Sequence, residues 1–163
     1  MSYNHCHDEH THAHGHGHSH AGHDHTDDLT PALQTHLYQQ IHWDGVRTLN
    51  EAHSGSGQRV LQKPWAQRLD ASPEIESDAD EQLILHVPFT GQVRLHSIHL
   101  RTSASGSAPS RVRVYINRDD LDFENISSVK ATQEFSLSST SEVQDLLVKR
   151  ALFNSTQSLT LFF

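Results

Sequence analysis

One stretch, Glu76–Leu100, constrains the fold of this chain more than any other. An acidic, polar lead-in (Glu76–Gln82) meets the first sustained apolar run, Leu83–Val87. The side chains of that run alternate with the two-residue period of a β-strand. Proline cannot donate to a sheet ladder, so we predict that Pro88 ends the strand.

A second strand is predicted from Gln92 to Leu100, after a turn at Thr90-Gly91. The apolar residues of this strand change face between Leu95 and Ile98. Either both faces are covered or a bulge near His96-Ser97 changes the register. The stretch as a whole is therefore predicted to be a hairpin.

Alternating segments recur further along and indicate an all-β fold. Arg111–Asn117 is the clearest predicted strand, with its valines and Ile116 pointing inward and Arg113 and Tyr115 outward. Two more strands are predicted, over residues 133–137 and 158–163. Together these short strands, separated by turn-rich loops, favour an all-β sandwich.

Three segments do not follow this pattern. Thr30 and Pro31 predict the start of a short amphipathic helix that ends near His42. Ser54–Gly57 is predicted to be a flexible loop. Residues 143–153 contain the spacing of a helix, in Val143, Leu146, Leu147 and Arg150.

Length and composition divide the chain into a tail, residues 1–28, and one domain, residues 29–163. The single cysteine, Cys6, favours a reducing compartment, and no secretory signal or bilayer-spanning run is predicted. A net charge of −8 argues against nucleic-acid binding. No catalytic motif is present, so we predict a protein that is not an enzyme and that needs no cofactor.

The tail carries ten of the sixteen histidines, and its low apolar content predicts disorder. Alternating imidazoles can bind Zn²⁺, Ni²⁺ or Cu²⁺ adventitiously. The candidate metal ligands are His12, His14, His16, His18, His20, His23 and His25. Such chelation without a physiological role is the interpretation we favour, and a physiological metal site, a pH-responsive solvating segment and an engineered tag are the alternatives.

The acidic lead-in and one tryptophan are the candidate partner-binding residues of the domain. They are Glu76, Asp78, Asp80, Glu81 and Trp65. The carboxylates suit a contact for a basic partner patch, a solvated loop, a Ca²⁺ or Mg²⁺ site, or an acid/base pair. Trp65 suits either recognition or packing at the edge of the sandwich. Two further histidines, His86 and His96, are predicted to face the same side.

The order of several separated blocks resembles the PITH domain family. The blocks are Glu76–Leu83, Val87–Val93, Leu49–Glu51, Lys63–Trp65, Arg68, Val114–Arg118, Leu121–Phe123 and Gln133–Leu137. The resemblance runs from about residue 37 to residue 163 and is to the stand-alone form of the family, not to its thioredoxin fusion. It also implies a strand followed by a short irregular turn over residues 143–153, so the choice between that and a helix stays open.

That resemblance implies a galactose-binding-like jelly roll that associates with the regulatory particle of the 26S proteasome, in the cytoplasm and nucleus. Family members continue into another strand after residue 163, so we expect a truncated chain whose last strand lacks a partner. A metal-handling protein acting through the tail is the alternative function. A sugar-binding jelly roll is a weaker one, because no dense cluster of loop aromatics is present. The oligomeric state is not predicted.

Overall fold

In the computed structural model of the protein, residues 36–163 are described. Most of the regular structure in this part is antiparallel β-strand. The strands are β1 (Arg47–Leu49), β2 (Ile84–Val93), β3 (Ser97–Arg101), β4 (Arg111–Ile116), β5 (Gln133–Ser136), β6 (Val143–Leu147) and β7 (Thr156–Phe162). The helices are α1 (Ser56–Leu61) and the 3-10 helices Leu37–Gln40, Trp43–Gly45 and Trp65–Gln67.

The strands form two antiparallel sheets that share one core. Five strands lie in the order β1-β2-β7-β4-β5, and β3 pairs with β6. Alternate residues of β2, β4 and β7 pack in one buried cluster with Leu146 and Val148, from β6 and the residue after it. The predicted all-β sandwich is therefore confirmed.

The opposite face of the large sheet is also covered, by the connection between β4 and β5. Leu121 and Ile126 of that connection are buried against Ile84, Tyr115 and Phe162. The Tyr115 hydroxyl donates to the carbonyl oxygen of Ile126 at 3.2 Å. Our prediction that Tyr115 points outward is wrong, because the side chain is only 1 % exposed.

The predicted hairpin is also wrong. β2 runs without interruption from Ile84 through Pro88 to Val93 and pairs with β1 and β7. β3 belongs to the other sheet, so the chain crosses between sheets after Val93. The register of the pairing between β2 and β7 shifts between Pro88 and Val93. Because Pro88 lies where the regular pairing stops, its lack of an N–H is tolerated within the strand.

Residues 143–153 form β6 followed by a turn, which settles the choice that the sequence left open. The predicted loop at Ser54–Gly57 is wrong in part, because α1 begins at Ser56. The predicted helix ending near His42 starts outside the described residues. Its described part is the 3-10 helix Leu37–Gln40, after which Ile41 bridges to Phe89.

The last strand is not an edge, contrary to our prediction of an unpaired strand. β7 pairs with β2 on one side and with β4 on the other. Both faces of β7 are buried, since Leu159 and Leu161 enter the shared core and Phe162 enters the second cluster. This position explains why six of the seven residues of β7 are buried, polar ones included.

Candidate functional site

The acidic loop (Glu76–Gln82) is held against the chain just after β1. Glu51 and Ser77 form an antiparallel bridge. The Ala52 N–H donates to the Glu76 carbonyl at 2.8 Å, and the Asp78 N–H donates to the Asn50 carbonyl at 3.0 Å. These backbone bonds fix the loop in place while its carboxylates remain exposed.

Asn50 fastens the far end of the acidic loop. Its backbone is left-handed, with φ 65°. The side-chain amide donates to the Asp80 carboxylate at 2.9 Å and to the Gln82 carbonyl at 2.7 Å. The amide oxygen accepts from the Ala79 N–H at 3.0 Å. Asp80 also accepts from the Gln82 N–H at 2.9 Å, so this carboxylate helps to shape the loop.

Glu51, the next residue, fastens α1. Its carboxylate accepts from the N–H groups of Gly55 and Gly57, the latter at 3.1 Å, and from the Ser56 hydroxyl at 2.8 Å. Burial alone would raise the pKa of Glu51, but these hydrogen bonds outweigh it and hold the pKa below its ordinary value. Sequence reasoning missed the roles of Asn50 and Glu51, although both belong to a block that carried the family resemblance.

The carboxylates of the acidic loop point into solvent. Glu76, Asp78, Asp80 and Glu81 are exposed, and none forms an ion pair with another described residue. Within residues 36–163, no three His, Cys, Asp or Glu side chains are grouped to hold a metal ion. The Ca²⁺ or Mg²⁺ interpretation therefore finds no support in the loop. The seven candidate ligands of the tail lie outside the described residues.

Trp65 lies in a different setting from the acidic loop. The indole packs edge-on against His99 of β3, with 5.4 Å between the ring centroids. The Arg68 guanidinium lies over the indole at 4.8 Å. These contacts correspond to the edge-packing interpretation of Trp65. Neither contact involves a carboxylate of the acidic loop.

The three histidines of β2, β3 and their connection have separate environments. His86 is buried in β2, whereas His96 and His99 are exposed. The Nδ1 atom of His86 lies 2.9 Å from the Thr160 hydroxyl, which donates its only proton to the Arg118 carbonyl at 2.9 Å. His86 must therefore donate from Nδ1. Burial, and after it the Arg47 guanidinium, hold the pKa of His86 below its ordinary value, although Asp119 opposes them.

Comparison with known proteins gives one consistent family. The PITH domain profile matches residues 27–163. The fission yeast PITH domain-containing protein P35G2.02 is 41 % identical over 130 residues, which cover 78 % of this chain and 62 % of that protein. The Drosophila pseudoobscura PITH domain-containing protein GA19395 is 35 % identical over 167 residues, covering 100 % of this chain and 74 % of that protein.

The human PITH domain-containing protein 1 is 41 % identical over 101 residues, which cover 62 % of this chain and 47 % of that protein. The chain thus spans between about half and three quarters of the lengths of these three relatives. In the described part of the chain, no helix has the length and apolar content needed to cross a bilayer.

Proposed function

This chain belongs to the PITH domain family in its stand-alone form, and from that premise we propose that it is a non-enzymatic protein-interaction module of the 26S proteasome regulatory particle. The family resemblance supports the partner. The anchored acidic loop is the single structural observation that carries the proposal. The expected locations are the cytoplasm and nucleus, where such a partner is found.

The acidic loop has the properties of a pre-organised docking surface. Its backbone and Asn50 bonds fix the loop before any partner arrives, so little conformational entropy is lost on binding. Its exposed carboxylates carry charge of the same sign as the net charge of −8. A basic patch on the partner would be attracted over a distance and oriented on arrival.

The pair of Thr160 and His86 supports binding in preference to catalysis. A hydroxyl beside an imidazole is the arrangement of a nucleophile and its base. Here, however, the Thr160 side chain is 1 % exposed, and its proton is donated to the Arg118 carbonyl. The Nδ1 atom of His86 donates a hydrogen bond to this hydroxyl, so that atom cannot act as the base that accepts the Thr160 proton. The pair ties β2 to β7 and to the chain after β4.

The proposal is tested by the affinity of the chain for purified 26S proteasome. The variant E76Q/D78N/E81Q removes three exposed charges and keeps Asp80, which shapes the loop. We expect binding at least about 10-fold weaker, mainly through a slower association rate. Surface plasmon resonance at two salt concentrations measures both.

The matched control D44N/E124Q/E142Q removes the same three charges from other exposed positions. It should bind as the parent chain does, since those carboxylates lie outside the loop. If the parent chain does not bind the proteasome, or if the loop variant binds as well as the control, the proposal is wrong.

A further inference from the structure

A pocket of about 260 Å³ lies where the chain crosses between the two sheets. Residues 94–96 connect β2 to β3, and residues 148–155 connect β6 to β7. The two crossings are joined by backbone hydrogen bonds, from the Leu95 N–H to the Phe153 carbonyl at 3.0 Å and from the Val148 N–H to the His96 carbonyl at 3.1 Å. The pocket is therefore framed by fixed backbone.

The rim of this pocket is cationic and its floor is apolar. Arg94, His96, Arg150 and Asn154 line it together with Leu95 and Phe153. Phe153 is 0 % exposed, so the floor is part of the core. Among residues 36–163, no carboxylate lines the pocket. We call this site the cationic pocket.

The arginines of the cationic pocket differ from those of β4 and its end. Arg111 and Arg113 pair with Glu134, and Arg118 pairs with Asp120. Neither Arg94 nor Arg150 forms an ion pair with a described carboxylate. Two guanidinium groups over one concave surface have donors available for an external anion.

Two exposed leucines lie close to Arg150 along the chain. Leu147 ends β6 and is 69 % exposed, and Leu152, in the turn that follows, is 46 % exposed. The turn is closed by the Leu152 N–H, which donates to the Lys149 carbonyl at 2.8 Å. A free inorganic anion would make no use of these side chains. A peptide that carries both acidic and apolar residues would use them and the arginines.

We propose that the cationic pocket binds an acidic segment of a partner protein, with carboxylates on Arg94 and Arg150 and neighbouring apolar side chains on Leu147 and Leu152. This inference rests on the proposed function and adds to it a second surface of opposite charge. The acidic loop selects a basic patch and the cationic pocket an acidic segment, so a partner with both is bound in one orientation.

The test is a titration of the ¹⁵N-labelled chain, followed by NMR, with a soluble peptide containing Glu-Glu-Leu-Glu-Leu-Glu. We expect shifts of the amide resonances of residues 94–96 and 147–154. Loss of two charge-assisted contacts in R94Q/R150Q should weaken peptide binding at least about 10-fold. The matched variant R111Q/K130Q removes two charges elsewhere and should bind as the parent does.

Two further titrations separate the possible sources of the anion. The same peptide with glutamine in place of glutamate should leave these resonances unshifted. Inorganic phosphate should shift them only at much higher concentration. If the acidic peptide gives no shifts there, or if phosphate binds more tightly than the peptide, the pocket is not a peptide site and the inference is overturned.

The peptide titration and the proteasome assay can fail independently. Proteasome binding without peptide shifts would reject only the cationic pocket. Peptide shifts at the pocket without proteasome binding would reject only the proposed partner.

Discussion

Two neighbouring residues, Asn50 and Glu51, hold two different elements. Asn50 combines a left-handed backbone with an amide that both donates and accepts, which fixes the acidic loop. Asparagine adopts φ > 0 more readily than most residues. Glu51 offers only acceptors, which suits the N–H groups at the start of α1. Periodicity carries no information on either role, so the anchoring of the loop was not predicted although the loop itself was.

Two replacements of Asn50 should separate the contribution of its side-chain hydrogen bonds from that of its left-handed backbone. We expect N50A to lower the free energy of unfolding by about 2–3 kcal/mol, through lost hydrogen bonds and a strained backbone. N50G keeps the φ without the Cβ cost and should lose about 1–2 kcal/mol less than N50A. Urea denaturation measures both. Equal losses for the two variants would show that the left-handed backbone contributes nothing.

His86 should make the stability depend on pH. Its pKa is lowered in the folded state, so the unfolded chain takes up the proton first as the pH falls. Stability is therefore full above the ordinary histidine pKa of 6.5 and declines as the pH drops through it toward the lower folded value. H86N should show a shallower decline when urea unfolding is measured from pH 7.5 to 5.5.

His36 also has a lowered pKa, because of burial and, after it, the nearby His99. This residue is present in both the parent chain and H86N, so it contributes to the pH dependence of both. Only the difference in slope between the parent and H86N therefore reports His86. If the two slopes coincide, the protonation of His86 is not coupled to folding.

At the scale of elements, strands were predicted well where one segment makes one strand. Arg111–Asn117 was predicted and Arg111–Ile116 is found, β5 agrees as closely, and β7 agrees to within two residues at each end. The end of β2 was predicted wrongly because the rule that proline ends a strand considers only the local sequence. Pro88 lies at the end of the regular pairing with β7, and its carbonyl accepts from the His42 N–H at 2.9 Å. That partner comes from a distant part of the chain and leaves no local signal.

The contact between α1 and β1 depends on the absence of a side chain at Gly57. A Cβ there would lie 2.0 Å from the Thr48 hydroxyl oxygen and 3.0 Å from a Leu85 methyl. We expect G57A to destabilise the fold by about 1–3 kcal/mol in chemical denaturation. T48A/G57A should recover part of the loss, since the nearest atom is then gone.

Gly91 of β2 is the matched control, because a Cβ there would meet no atom within 4 Å. G91A should change the free energy of unfolding by no more than about 0.5 kcal/mol. A G57A variant as stable as G91A would contradict the close contact.

For the whole molecule, the large sheet is an inner layer with both faces covered. The sequence suggested one buried face, because β4 alternates valine with Arg113 and Tyr115. Arg113 instead lies over the Phe162 ring at 5.3 Å, and Tyr115 is buried. The cover comes from the connection after β4, which has no strand period. The segment Leu121–Phe123 was predicted to anchor this connection, and of its two apolar residues Leu121 is buried whereas Phe123 is exposed.

Adjacent residues of β7 should therefore be equally sensitive to truncation. L161A opens the shared core and F162A opens the second cluster, and we expect losses of about 2–5 kcal/mol for each. Thermal and urea unfolding measure them. L147A removes an exposed leucine and should stay within about 0.5 kcal/mol of the parent. A mild effect of F162A would show that the second face is solvated.

The central place of β7 also sets the order in which the molecule can assemble during its synthesis. Ile84 of β2 pairs with Phe162, and Arg113 of β4 pairs with the same residue. Until residues 156–162 have left the ribosome, β2 and β4 have no strand between them to pair with. Closing such distant pairings is slow, and the waiting strands expose unpaired edges. A nascent chain of this protein therefore carries unpaired edges on β2 and β4 until β7 has been synthesised.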